Sequence, residues 1–169
     1  MAMNPTQSDE VDMNDRKQRL KHKMVEARRE LLEVLLSLTP AHYALPTRDA
    51  GWSVYDVAAH IAGAEGSMEI IANRILNHEP SIVAGFDIER FNAGNIRRRQ
   101  GQTIQNFIDE LAASRVRMLG LLDNATDEQL NLPGQHPTAG KTTLYGLFVV
   151  VYRHERIHAE DIRLALQGN

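Results

Sequence analysis

Cysteine is absent from this chain of 169 residues, and its absence excludes three kinds of chemistry. Without a thiol, the protein has no disulfide framework, no thiolate nucleophile and no sulfur ligand for a zinc site. Any metal site in the chain must therefore be built from histidine and carboxylate side chains. The sequence supplies seven histidines and 22 acidic residues from which such a site can be formed.

An excess of positive charge is also lacking. The 22 acidic residues outnumber the 19 Lys and Arg, and the formal net charge is −3. The dense basic run Arg97-Arg98-Arg99 is typical of a solvated surface. Because binding to a phosphate backbone depends on clustered positive charge, we expect no nucleic-acid partner.

Long apolar runs are missing as well. No stretch approaches the roughly 18 uninterrupted apolar residues of a membrane span, and the first residues lack the apolar core of a signal peptide. The sequence therefore predicts a cytoplasmic protein without a membrane partner. With 43% hydrophobic residues, the chain is suited to one domain with a substantial core.

Four amphipathic patterns indicate long helices. Residues 1–14 have no apolar periodicity and are predicted to be a disordered leader, which leaves a single domain over 15–169. Apolar residues that recur at threes and fours, together with N-cap residues, predict helices over about 15–38, 53–77, 103–122 and 142–166, with a short capped turn at 126–130. The predicted fold is an all-α four-helix bundle.

Two connections between these helices carry further information. The link 79–102, between the second and third predicted helices, is longer than most connections in compact domains. It can cross an end of the bundle, carry a short helix or form a lid, so simple up-down-up-down order is only one of the topologies open to the chain. The link 131–141 is rich in Pro and Gly and predicts a loop.

A pair of histidines lies in the fourth predicted helix, within His154-Glu155-Arg156-Ile157-His158. A spacing of four residues is slightly more than one helical turn, so both imidazoles project from one face and can hold one metal ion. Leu147 and Val151 share that face, which puts the pair on the buried stripe of the helix. The alternative is that both are core histidines that hydrogen-bond to a neighbouring helix.

His60 is a third histidine that is expected to face inward. On the second predicted helix it shares a stripe with Val57 and Ile71. The residues around it are small, and two of them are Gly63 and Gly66. A glycine in a helix costs about 1 kcal/mol relative to alanine, so this composition indicates a spatial demand. Either another helix approaches closely here, or a pocket lies beside the imidazole.

The other histidines are expected at the surface. His22 lies in a strongly charged stretch, and His42 and His78 lie next to predicted turns or helix ends. His136 lies in the loop before the fourth helix. To reach the paired histidines, that loop would have to fold back about 15 Å or more, given a rise of 1.5 Å per helical residue.

The run His-Glu-x-x-His is also the signature of zincin proteases, in which Glu155 would be the general base. The extended signature needs a glycine and a third histidine downstream, but Asp161 and Leu164 occupy those positions. The protease interpretation therefore lacks its third ligand. We expect Glu155 to pair with a neighbouring arginine rather than to act in catalysis.

Two motifs together resemble the DinB/YfiT-like superfamily of metalloenzymes. They are Trp-Ser-Val-Tyr-Asp-Val-Ala-Ala-His-Ile at 52–61 and Tyr-Arg-His-Glu-Arg-Ile-His at 152–158. The resemblance implies a four-helix bundle, a divalent metal held by His60, His154 and His158, and a homodimer. It also implies a relation to thiol-dependent maleylpyruvate isomerases and to S-transferases that use mycothiol or bacillithiol.

Three neutral imidazoles would leave coordination positions open for water or substrate, which is the pattern of catalytic metal sites. Zinc, nickel and Fe(II) all accept imidazole ligands. The sequence therefore predicts a metal-dependent transferase or hydrolase acting on a small-molecule substrate, with any thiol entering as a small-molecule cosubstrate. Two alternatives remain: a stress-response or binding module that keeps the metal without turnover, and a metal-free helical interaction protein.

Overall fold

The computed structural model describes residues 6–49 and 51–168, with side chains from Asp15 onward. The elements in chain order are α1 (Thr6–Leu36), α2 (Val54–Leu76), α3 (Ile88–Arg97), α4 (Ile104–Asn124), α5 (Asp127–Leu130), β1 (Pro133–His136), β2 (Gly140–Thr143) and α6 (Leu144–Gln167), with a short 3₁₀ helix over Pro40–His42 between α1 and α2. The predicted all-α four-helix bundle is confirmed, and its members are α1, α2, α4 and α6. Within the described ranges, no helix has both the length and the apolar content needed to cross a membrane.

Side-chain caps fix where three of the bundle helices begin. Ser53, Thr103 and Thr143 each accept a hydrogen bond from the backbone N–H three residues further on. Asp56 completes a capping box by accepting from the backbone N–H of Ser53 at 3.0 Å. These bonds satisfy N–H groups that have no partner inside the helix. The predicted starts of α2, α4 and α6, and the capped turn that becomes α5, are therefore confirmed.

The first helix begins earlier than the sequence indicates. We predicted a start near Asp15, whereas α1 begins at Thr6. The prediction relied on apolar periodicity, which residues 6–14 lack. Extending an existing helix adds one hydrogen bond for each residue fixed, so a polar extension needs no apolar face. Residues 1–5 of the predicted leader lie outside the described residues.

The order of the helices around the bundle is not simple up-down-up-down. α1 packs against α4 and α6, and α2 packs against the same two helices, so α1 and α2 face each other diagonally. One apolar cluster joins the end of α1 to the starts of α2 and α4 and the end of α6, and a second cluster joins their opposite ends. Hence α1 and α6 run in one direction, and α2 and α4 in the other.

This arrangement explains the long connection after α2. Because α2 and α4 are parallel neighbours, the chain must return along the length of the bundle before α4 can begin. The connection does so through α3, which packs against α2. Of the three possibilities that the sequence left open for this link, the short helix is the one the structure contains.

Residues 133–143 form a β-hairpin, so the prediction of an irregular loop was wrong. β1 pairs antiparallel with β2, with Pro133 opposite Thr143 and His136 opposite Gly140. Proline is tolerated as the first residue of a strand, where a missing N–H costs least. Gly134 allows the hairpin to lie close to α2, because a Cβ at that position would collide with Ile75. The hairpin therefore folds back toward the bundle.

A buried charge quartet lies where the two apolar clusters meet. It takes one residue from each bundle helix: Arg28, Glu65, Arg115 and Glu155. Arg28 donates to Glu155 at 2.7 Å and also pairs with Glu65. Arg115 donates to Glu65 at 2.6 Å and to Glu155 at 2.8 Å. Each carboxylate thus accepts hydrogen bonds from both guanidinium groups. These pairs compensate the charges, whose burial would otherwise destabilise the folded protein.

Candidate metal centre

The structure brings the three inward-facing histidines together on two helices. The Nε2 atom of His154 lies 3.1 Å from Nε2 of His60 and 3.0 Å from Nε2 of His158. His60 and His158 are each 7% exposed, and His154 is half-buried. Nitrogen atoms of all three rings lie within 4.8 Å of one another, so the three histidines form one cluster of candidate metal ligands.

Burial keeps all three rings neutral at pH 7. Desolvation, reinforced by His158 and Arg99, lowers the pKa of His60 to about 3. Desolvation also lowers the pKa of His154 well below its usual value, and the neighbouring histidines add to this effect. For His158, burial lowers the pKa more than the carboxylates of Asp161 and Asp49 raise it. Neutral imidazole is the form that binds metal.

The hydrogen-bond partners of His158 fix its tautomer. Its Nδ1 lies 3.2 Å from Oδ2 of Asp161. A carboxylate only accepts, so Nδ1 carries the proton and Nε2 presents a bare lone pair to His154. The Nε2 atom of His154 lies between Nε2 of His158 and Nε2 of His60. If His154 Nε2 carries a proton, it can donate to His158 but cannot accept from His60. If it carries none, it can accept from His60 but has nothing to donate to His158, so hydrogen bonding between neutral rings explains only one of the two contacts.

A shared cation accounts for both short contacts. With metal–nitrogen distances of about 2.0–2.1 Å and ligand angles between about 90° and 109°, two coordinating nitrogens lie about 2.8 to 3.4 Å apart. The two Nε2 separations, 3.1 Å and 3.0 Å, fall in this range. The type of ligand and the two separations from His154 therefore fit a divalent transition metal.

Asp161 holds His158 in this orientation and is itself held. It is 5% exposed, and its Oδ1 accepts from Arg48 at 3.1 Å and 2.6 Å. Asp49 lies further away, with its Oδ2 at 3.9 Å from Nδ1 of His158. A carboxylate on the distal nitrogen of a histidine ligand is a common feature of metal sites, where it fixes the tautomer and the ring orientation.

His60 is supported from two sides. The ring of Trp52, the residue before the N-cap of α2, lies 4.8 Å from the His60 ring between centroids. Asn95 of α3 donates to the backbone carbonyl of His60 at 3.2 Å. The glycine beside it is explained by the same helix, because a Cβ on Gly63 would collide with Asn95 and Arg99. Close helix approach, rather than a pocket, is therefore the reason for Gly63.

A pocket of about 690 Å³ nevertheless opens on the histidines from another direction. Its walls come from α2, the connection to α3, α3 itself and the β-hairpin. All three histidines line it. Its volume is within the range typical of small-molecule sites. The site thus combines three neutral nitrogen donors with a cavity large enough for a ligand.

Comparison with known proteins places this site in a family. Residues 23–162 match the model of the DinB superfamily. The chain belongs to the DinB superfamily. No curated protein matches it significantly.

Several solved structures share the fold at low identity. YfiT from Bacillus subtilis, a probable metal-dependent hydrolase with an unusual four-helix bundle topology, superposes with a TM-score of 0.74 at 20% identity, over 99% of this chain and 90% of YfiT. The mycothiol-dependent maleylpyruvate isomerase gives a TM-score of 0.68 at 13% identity over 89% of this chain. The present chain spans only 60% of the length of that isomerase.

One relative overturns an expectation drawn from charge. The colibactin self-resistance protein ClbS, in complex with double-stranded DNA, superposes with a TM-score of 0.69 at 14% identity, over 89% of this chain and 95% of ClbS. A negative net charge therefore does not exclude a nucleic-acid partner for a protein of this fold, and our prediction that excluded one was wrong. Net charge describes the whole surface, whereas contact with DNA depends on a local patch.

The structure also places the remaining predicted residues of this DinB superfamily member. His136 is half-buried and lines the same pocket as the metal-compatible histidines, so its expected surface position was wrong. Its Nδ1 accepts from the backbone N–H groups of Thr138 and Ala139. His22 and His78 are exposed and His42 is half-buried. Glu155 pairs with arginines in the buried quartet, as expected.

Several buried polar residues in and around the site were not predicted from the sequence. Arg28, Glu65 and Arg115 each lie three or four residues from buried apolar residues of the same helix, and that position on the stripe was the available signal. Arg48 gave no such signal, because it lies in a connection without periodicity. Arg99 is buried and pairs with Glu110 through Nε at 2.9 Å, so only Arg97 and Arg98 of the basic run are solvated.

Proposed function

We propose that the protein is a metal-dependent transferase or hydrolase that acts on a small-molecule substrate, with a divalent metal held by His60, His154 and His158. The convergence of three Nε2 atoms at the wall of a ligand-sized pocket carries this proposal. Bound there, a divalent ion would supply a Lewis acid with coordination positions open to the pocket. Zinc, nickel and Fe(II) each suit a three-imidazole site.

The residues around the histidines have defined roles in this proposal. Asp161 orients His158 through Nδ1, and Trp52 covers one side of the His60 ring. Because the chain has no cysteine, a thiol used in the reaction enters as a small-molecule cosubstrate. The mycothiol dependence of the maleylpyruvate isomerase, which shares the fold, supports including thiols among the candidate cosubstrates. The homodimer implied by the family resemblance stays a prediction.

An activity screen tests the reaction class. Protein freed of any affinity tag is stripped of metal, reloaded separately with zinc, nickel or Fe(II), and assayed with low-molecular-weight thiols, electrophiles and hydrolysable esters. We expect turnover that chelation abolishes and that His158→Ala lacks. Metal binding without turnover across the screen would instead favour the binding-module alternative. Turnover that survives chelation would contradict a metal-dependent reaction.

Duplex DNA is a second candidate partner, because three exposed arginines lie together at α3. Arg90 and Arg97 of α3 and Arg98, the residue after it, line a shallow depression of about 390 Å³ that also includes Asp87. Such a patch can neutralise phosphate groups despite the negative net charge of the chain. Fluorescence anisotropy with a labelled duplex tests this at rising salt concentration. Binding that weakens with salt and with Arg97→Ala supports DNA as a partner, and absence of binding at low salt opposes it.

A further inference from the structure

The pocket beside the histidines is elongated along α2. Residues of one helical stripe form its floor, beginning at His60 and continuing through Ala64 and Ile71 to Arg74. At a rise of 1.5 Å per residue, the fourteen residues from His60 to Arg74 span about 21 Å of helix axis. The metal-compatible donors are therefore at one end of the cavity, and a long body of the pocket extends away from them.

The wall opposite this floor is mainly apolar, although Glu89 and Asn92 of α3 also line the pocket. The connection before α3 contributes Ile82, Val83 and Phe86, and α3 contributes Ile88 and Phe91. The rings of Phe86 and Phe91 lie 5.4 Å apart between centroids. Their contact makes a continuous aromatic surface over the cavity. A long apolar chain or ring system matches such a surface, because apolar contact removes both partners from water.

Apolar side chains also reach the mouth of the pocket. Ile70 is 60% exposed and Val83 is 48% exposed, and both line the cavity. Large apolar residues that remain exposed next to a cavity are typical of ligand-binding surfaces. Their position at the rim indicates that the apolar lining is accessible from solvent.

Several polar side chains of the lining are already satisfied within the protein. Ser67 donates to the carbonyl of Gly63 at 3.0 Å, and Ser81 accepts from the backbone N–H of Gln135 at 3.2 Å. These hydroxyls therefore need no ligand partner to offset their desolvation. A sugar or a nucleotide carries many polar groups that need such partners. The apolar stretch of the lining between the histidines and Arg74 offers such ligands few partners.

From these observations we infer that the ligand is an elongated amphiphile, with a polar reacting head at the three histidines and an alkyl or aryl tail along the α2 floor. The position of the head rests on the proposed metal function, whereas the position of the tail rests on the apolar walls alone. The substrate class is therefore a small molecule with one polar end and an apolar body.

A series of straight-chain hydroxamates tests this inference, because the hydroxamate group binds metal and only the tail length changes. Titration calorimetry is carried out on zinc-loaded protein from acetohydroxamate to dodecanohydroxamate, because about 16 Å of helix axis separate His60 from Ile71. Burying one methylene is worth about 0.8 kcal/mol, so we expect Kd to fall by about fourfold for each added methylene. An affinity that does not change with tail length would overturn the inference while leaving the metal site intact.

Matched variants separate tail binding from effects on the fold. Ile71→Asn puts a polar group in the pocket floor about 16 Å from His60 along the helix axis. We expect it to abolish most of the gain from the distal methylenes of the longest hydroxamates while leaving acetohydroxamate binding unchanged. Val116→Asn is the control, because Val116 is 73% exposed and lies outside the pocket lining. Equal tail-length dependence in the two variants would contradict the inference.

If the protein binds no metal, the proposed function fails, but the tail pocket can still be tested. An environment-sensitive fluorophore with an octyl chain is then titrated into the metal-free protein. Binding that Ile71→Asn weakens and Val116→Asn leaves unchanged supports the apolar pocket. Absence of binding to the wild-type protein, or equal binding by both variants, overturns it.

Discussion

His158 has different partners at its two ring nitrogens. Its Nδ1 donates to Asp161, and its Nε2 faces the other histidines. Asp161 is held by two contacts from Arg48. The orientation of a metal-binding nitrogen is therefore fixed by a carboxylate that does not face the metal position. Loss of that carboxylate should weaken metal binding without removing a ligand.

We predict that Asp161→Ala lowers metal affinity by about 10- to 100-fold, the usual effect of removing such a partner. Asp161→Asn should lose less, because its amide oxygen can still accept from Nδ1. Competition with a chromophoric chelator measures both. Glu160→Ala is the control, since Glu160 is exposed and its nearest cation is Arg163 at 3.6 Å. An unchanged affinity in Asp161→Ala would mean that the hydrogen bond does not position His158.

Site residues that lie in amphipathic helices could be predicted from the sequence, whereas those in connections could not. The histidine pair followed from its spacing within one helix, and His60 followed from its position on an apolar stripe. Arg48 lies outside the periodic segments, so no pattern linked it to α6. His136 was misplaced because the prediction assumed an irregular loop, whereas a hairpin carries it back over α2.

Among the elements, α3 depends most on a single position of α2. Gly63 lies where Asn95 and Arg99 pack against α2, and no side chain fits between them. Gly66, less than one turn further along, has no atom within 4 Å of a built Cβ. The two glycines therefore have different structural roles although the sequence presents them alike.

We predict opposite signs for alanine at these two positions. Gly63→Ala should destabilise the protein by about 1–3 kcal/mol, because the added methyl group displaces the buried side chains of Asn95 and Arg99. Gly66→Ala should stabilise it by up to about 1 kcal/mol, since alanine is the better helix former and nothing obstructs its methyl group. Urea denaturation followed by circular dichroism gives both free energies of unfolding. A destabilised Gly66→Ala or a neutral Gly63→Ala would show that the packing of α3 is misunderstood.

The long helices could be predicted from the sequence, but the hairpin could not. The long helices have apolar periodicity and side-chain caps, and both signals are local. The hairpin has neither, because Pro133 and Gly134 favour a loop by composition and are accommodated only through tertiary contact with α2. Its pairing therefore depends on the rest of the fold.

At the scale of the whole molecule, the buried quartet joins all four bundle helices. Arg28, Glu65, Arg115 and Glu155 are each at most 8% exposed. The two arginines also donate to backbone carbonyls of α4 and α1. A buried charge whose partner is removed is strongly destabilising. The quartet therefore makes the stability of the bundle depend on each helix contributing its residue.

We predict that Glu65→Ala destabilises the protein by about 3–5 kcal/mol, because it leaves two buried guanidinium groups short of a partner. Glu69→Ala, one turn later on α2, should cost no more than about 1 kcal/mol, since its partner Arg117 is half exposed. Free energies of unfolding in urea compare the two variants. Similar losses would show that burial does not distinguish these ion pairs.

The order of the helices around the bundle could not be predicted from local sequence patterns. Periodicity identified four bundle helices but not which of them are neighbours. The long link after α2 signalled an unusual connection, and the parallel arrangement of α2 and α4 is its physical reason. Neighbour relations depend on contacts between elements far apart in sequence, which a single chain does not reveal.

The central claim is that His60, His154 and His158 form one metal site. Side-by-side metal titrations of His60→Ala and His136→Ala test it most directly, because both histidines line the same pocket and only His60 belongs to the nitrogen cluster. We expect that wild-type protein binds one divalent ion per chain, that His60→Ala weakens binding by orders of magnitude, and that His136→Ala leaves the affinity unchanged. A comparable loss in both variants, or unchanged binding in His60→Ala, would contradict it.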